Sequence, residues 1–95
     1  MTINGKEYAT PTFTFGDMCK LEGWGLPIDS ISERPLTFLS GFVALAIGGD
    51  LADGQKAIDE HLNAGGSIDE LADKLNRAIE GSGFFRRARA EGKTA

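Results

Sequence analysis

Ninety-five residues with 41% apolar side chains, among them six Phe, one Tyr and one Trp, supply one modest core and argue against a second domain. Ten Lys and Arg against fourteen Asp and Glu leave a net charge of -4, which argues against sequence-independent nucleic-acid binding, because such binding rests on neutralising phosphates. The single cysteine, Cys19, excludes an internal disulfide, and no apolar run approaches the roughly 20 residues that cross a bilayer.

Charge is unevenly placed. Residues 86–95 hold Arg86, Arg87, Arg89 and Lys93 against Glu91, a net of +3, so the first 85 residues carry -7. The expectation is an acidic body over residues 1–85 and a mobile basic tail over 86–95. With one cysteine and no basic-then-apolar signal region in "MTINGKEY", the chain reads as intracellular and reduced, with no membrane association.

In chain order, Asn4-Gly5 is the dipeptide that best tolerates a two-residue hairpin turn, and predicts a small N-terminal hairpin. Thr12-Phe13-Thr14-Phe15 alternates with period two. Pro11 removes a ladder donor, so this segment reads as an edge strand with Phe13 and Phe15 on one face, able to pair with a neighbouring copy. Thr14 and Asp17 are spaced to cap a short helix over "FGDMCKLE", with Phe15, Met18 and Leu21 on its buried side and Gly23 stopping it. Trp24 follows between two glycines.

Ser32 is a candidate N-cap for a helix that tolerates Pro35 in its first turn and runs to about Ile47. Leu36, Leu39, Val43 and Ile47 follow a core spacing, while Phe38, Phe42 and Leu45 widen the apolar surface beyond a single stripe. Gly48-Gly49 ends this helix and Asp50 caps the next, whose stripe takes Leu51, then Ala57 or Ile58, then His61 or Leu62, up to Ala64-Gly65-Gly66. Ser67-Ile68-Asp69-Glu70 has the capping-box form, and Ile68, Leu71, Ala72, Leu75 and Ile79 carry a last helix to Gly81 or Gly83. The fold class is therefore mainly α: about four helices in one small domain with a short N-terminal β-hairpin or edge strand.

Chemistry is sparse. Cys19 and His61 form no local catalytic signature and read as a small core residue and a packed helix residue; one His and one Cys cannot supply a zinc site. No calcium-loop, dinucleotide or phosphate-loop pattern occurs, so no cofactor or metal is expected. Residues 50–80 carry eight carboxylates against Lys56, Lys74 and Arg77, which would repel DNA and otherwise read as solvated helix faces.

Apolar bulk is in excess. A chain of this size buries only about 60–65% of its unfolded surface, so some of Trp24, Phe38, Phe42, Phe84 and Phe85 are expected to face a partner, beside Arg86 and Arg87. Trp24 reads equally as core or contact, one of Phe38 and Phe42 reads as core, and Phe84 and Phe85 divide between the body and the partner.

Taken in order, "TINGKEY", "FGDMCKLEGWGLPIDSI", "RPLTFLSGFVALAIGGD", "EHLNAGGSIDEL" and "SGFF" resemble the small tail assembly chaperones of long-tailed bacteriophages and related prophage tail-like particles. The resemblance covers about residues 2–87. It implies a non-enzymatic factor of the host cytoplasm that binds the tape measure protein, keeps it soluble, helps recruit tail tube protein and is absent from the mature virion. The family often adds a tube-engaging domain through a ribosomal frameshift, and Glu91-Gly92-Lys93 is encodable by a slippery run of G and A. The resemblance assigns no residue roles. The competing expectation is an acidic inhibitor or anti-defence protein of a mobile element that binds a basic enzyme through its carboxylates.

Overall fold

The computed structural model describes residues 1–82. Two short strands, β1 (Thr2–Ile3) and β2 (Lys6–Glu7), precede five helices: α1 (Phe15–Gly23), α2 (Ser30–Glu33), α3 (Pro35–Ile47), α4 (Leu51–Asn63) and α5 (Ile68–Gly81). The mainly helical class with an N-terminal hairpin is what the chain adopts. The four helices read from the sequence are α1, α3, α4 and α5, and α2 is a single additional turn.

The hairpin is antiparallel, with Thr2 opposite Glu7 and Ile3 opposite Lys6. Asn4 and Gly5 both take positive φ angles, 52° and 77°, as a tight turn between twisted strands demands. Ile3 of β1 is buried.

Residues 12–15 depart from the expected edge strand. Phe13 adopts a left-handed backbone (φ 56°), which reverses the chain locally and drives its ring into the core, while Phe15 begins α1 and is 71% exposed. Two phenylalanines two positions apart thus end on opposite sides. A bulky residue at positive φ costs of order 1–2 kcal/mol; burying the phenyl ring, worth roughly 1.5–3 kcal/mol, offsets it. The ring packs against Phe42 at 5.5 Å and Phe38 at 6.1 Å between centroids, both tilted.

α1 opens with the anticipated cap. Asp17 N–H donates to Thr14 Oγ1 and Thr14 N–H to Asp17 Oδ2. The helix stops at Gly23 as expected, and the chain folds over just beyond it. Gly25, at φ 79°, sends its N–H to Glu22 O, and Leu26 N–H returns to Leu21 O at 2.8 Å. This paired closure brings the side chains of Leu21 and Leu26 together, as such C-terminal turns do. Both are fully buried, and both lie where a Cβ on Gly41 would stand, at 2.7 and 2.9 Å. Gly41 in the middle of α3 is therefore a notch that receives the end of α1.

α3 is the central element. Phe38 through Ala44 are all buried, so its middle turns face protein on every side. Ser32 does not cap it. That hydroxyl donates to Asp29 O, Arg34 occupies the cap position with its side chain turned to the Gly25 carbonyl rather than capping the helix, and Pro35 stands at the first helical position. Gly48, at φ 75°, ends α3, and the axes of α3 and α4 turn through 97°. A reciprocal cap between Asp50 and Asp53, each bond 3.0 Å, starts α4 at once. α4 then crosses α3 closely enough that Gly54 rests on the Ser40 carbonyl.

A second paired closure ends α4: Gly65 N–H donates to Leu62 O and Gly66 N–H to His61 O. Ser67 caps α5, but its hydroxyl accepts from Asp69 N–H rather than forming the expected reciprocal pair with Glu70. Leu71, Leu75 and Ile79 form the buried stripe of α5. Among the described residues no single helix is long and apolar enough to cross a membrane.

Candidate partner-binding surface

Phe38 and Phe42, expected in part at a partner contact, are both 0% exposed. They are core residues, because Phe13 swings in beneath them and completes an aromatic cluster that the period-two reading had placed on a strand. Trp24 is half-buried at the end of α1, packed against the core. Phe84, Phe85, Arg86 and Arg87 lie outside the described residues.

Other large apolar side chains occupy the surface instead. Phe15 at the start of α1, Leu36 in the first turn of α3 (69% exposed) and Leu62 in the last turn of α4 (40% exposed) stand outside the core cluster. Their shared signal is position. Each sits in the terminal turn of its helix. Helical spacing alone had assigned Phe15 and Leu36 to the core.

α4 resolves its two ambiguities toward Ile58 and His61. His61 is 5% exposed and ties three elements together. Its Nδ1 accepts the Asn4 N–H at 2.7 Å, which fixes the hairpin turn against α4 and requires an unprotonated Nδ1. Its ring lies where a Cβ on Gly66 would be, so the α4–α5 turn closes directly over it. Among the described residues, Nε2 is buried without a hydrogen-bond partner. Replacing His61 with alanine removes the side-chain acceptor of the Asn4 amide and is expected to cost about 1–3 kcal/mol. Hydrogen exchange at Asn4 and the hairpin amides checks this, since their protection should fall most.

Cys19, read as a core residue, is exposed on α1. Among the described residues no group of three or more His, Cys, Asp or Glu could hold a metal ion.

The remaining surface is acidic. Asp50, Asp53, Asp59, Glu60, Asp69, Glu70, Asp73 and Glu80 are all exposed, and one ion pair, Arg77 to Asp73 at 3.1 Å, links two turns of α5. A groove of about 280 Å³ between the hairpin and α5 is rimmed by Glu7, Glu70 and Asp73 with Lys74. A second, of about 380 Å³, runs from Tyr8 along α4 past Asp53, Lys56 and Glu60. The arrangement offers exposed aliphatic and aromatic side chains on a negatively charged body.

Comparison of the chain with protein-family models, with curated proteins and with solved structures finds no match.

Proposed function

We propose that this chain is a non-enzymatic tail assembly chaperone that binds the tape measure protein in the host cytoplasm, keeps it soluble and promotes assembly of tail tube protein around it. The observation that carries the reading is large apolar side chains, Leu36 and Phe15, standing outside a closed core on an acidic body. Several copies of such a body would cover apolar stripes of a long helical partner while adding negative charge that resists aggregation. The ordered sequence segments that resemble this family support the same role, and a frameshifted longer product would supply the tube contact.

Co-expression with a tape measure protein tests the proposal. The partner should stay soluble and co-elute in a stoichiometric complex; equal insolubility with and without this chain rejects it. Leu36→Ser should leave the thermal midpoint within about 3 °C, as surface substitutions do. It should weaken retention of the partner about tenfold, as read by titration, if Leu36 is at the contact.

The exposed carboxylates favour one second reading, an acidic inhibitor of a basic enzyme. The two part on salt: a carboxylate contact weakens steeply as ionic strength rises, whereas an apolar contact changes little.

A further inference from the structure

The contact between His61 and the hairpin turn holds only for one charge state of the ring. Nδ1 accepts the Asn4 N–H at 2.7 Å, the ring is 5% exposed, and the α4–α5 turn closes over it at Gly66. A ring nitrogen that accepts carries no proton, so the neutral ring keeps its proton on Nε2. Among the described residues that Nε2 has no hydrogen-bond partner. A second proton can go only to Nδ1, where it meets the Asn4 N–H. Donor then faces donor, and a charged ring is enclosed with neither N–H satisfied.

Little else fastens the hairpin. Among the described residues, the bond from Asn4 to His61 is the hydrogen bond that joins it to a helix; the others made by residues 1–8 stay within the hairpin or reach Thr10. Ile3, 2% exposed, is its apolar anchor. The segment that follows is exposed at Ala9, Thr10 and Thr12, so the hairpin can leave α4 while Phe13 stays in the core.

The surrounding charges leave the imidazole as the group that changes. α3 carries no ionisable side chain. Lys6 and Glu7 on the hairpin, Asp59 and Glu60 on α4, and Asp69 and Glu70 in the first turn of α5 are exposed, and among the described residues none makes an ion pair or hydrogen bond with the ring. Exposed carboxylates and ammonium groups keep their charge between about pH 5.5 and about pH 7.5, where imidazole changes its own.

We infer that His61 is an acid-sensitive latch: proton uptake at Nδ1 turns the acceptor of the Asn4 amide into a donor and releases the hairpin from α4. The docked hairpin needs a neutral ring and the released one does not, so docking holds at higher pH and is lost as pH falls. Release uncovers Ile3 and adds apolar surface to the acidic body. The latch stands on the geometry of His61 and not on the chaperone reading.

Heteronuclear magnetic resonance of the full chain, following the His61 ring nitrogens and the backbone amides from about pH 7.5 to about pH 5.5, tests it. At the upper end Nδ1 should be bare and Nε2 protonated. As Nδ1 takes up its proton, the Asn4 amide and Ile3 methyl signals should move with the same midpoint. Exchange protection at Asn4, corrected for the intrinsic pH dependence of exchange, should fall about tenfold while α3 and α4 keep theirs. His61→Asn offers an oxygen acceptor that does not titrate, and should hold the hairpin equally at both ends of the range. A protonated ring with Asn4 still protected overturns the latch. So does a ring that stays neutral with the hairpin docked throughout, or release in His61→Asn with the parent's midpoint. The parent spectra decide on their own should His61→Asn not fold.

Discussion

Alanine at position 54 is expected to destabilise the domain by about 3 kcal/mol, although the same change in an open helix would stabilise it by about 1 kcal/mol through backbone entropy. The sign reverses because of what lies opposite. A Cβ on Gly54 would run into the carbonyl oxygen of Ser40 and come within 2.9 Å of the Ala44 nitrogen. Both are backbone atoms of α3 and neither can rotate aside, unlike the Leu21 and Leu26 methyl groups that face Gly41. Relief requires α4 to move away from α3 along their most extensive contact. Thermal unfolding of Gly54→Ala should show a midpoint lower by roughly 10–20 °C for a domain of this size. A midpoint equal to or above the parent's would mean that the two helices do not cross in contact at Gly54.

Phe42→Ala has an effect of similar size and a different origin. Phe42 is fully buried, and its ring packs against Phe13, so truncation leaves a void in the aromatic cluster as well as losing its transfer free energy. Such substitutions cost about 3–5 kcal/mol. A domain of this length has a total stability on the order of 4–12 kcal/mol, so the variant is expected near the edge of unfolding. Urea titration followed by near-ultraviolet circular dichroism measures it. An unchanged urea midpoint would return Phe42 to the surface and revive it as a partner contact. The contrast with Leu36→Ser separates packing from recognition within one helix.

What could be read from the residues alone follows the range of the interactions involved. Caps are local: Thr14 with Asp17 appears as anticipated and Asp50 caps α4 as expected, with Asp53 adding a reciprocal bond, whereas Ser32 does not cap α3 and Ser67 bonds Asp69 rather than Glu70. The Asn4-Gly5 turn is equally local. Periodicity succeeded for α5, whose apolar residues form one stripe, and failed for α3, which is apolar on all sides and so gives period no face to choose. Whether Phe38 and Phe42 are core or contact depends on Phe13, 25 and 29 residues distant in sequence, and on a positive φ angle that nothing in "TPTFTF" announces. Likewise the preference for His61 over Leu62 is settled by the Asn4 amide, 57 residues away in sequence. Cys19 was misassigned for a related reason: α1 buries little beyond Leu21, leaving its small side chain on the water side.

The sharp corner between α3 and α4 also bears on how fast the chain organises itself. Only Gly48, Gly49 and Asp50 separate the two helices, so bringing them together closes a very short loop and loses little chain entropy. The hairpin, by contrast, must wait for α4 before its Asn4 amide finds His61. A nucleus over residues 35–63 with later docking of both flanks is the expected order of events. In kinetic terms Gly54→Ala should then chiefly slow refolding, whereas His61→Ala should chiefly hasten unfolding.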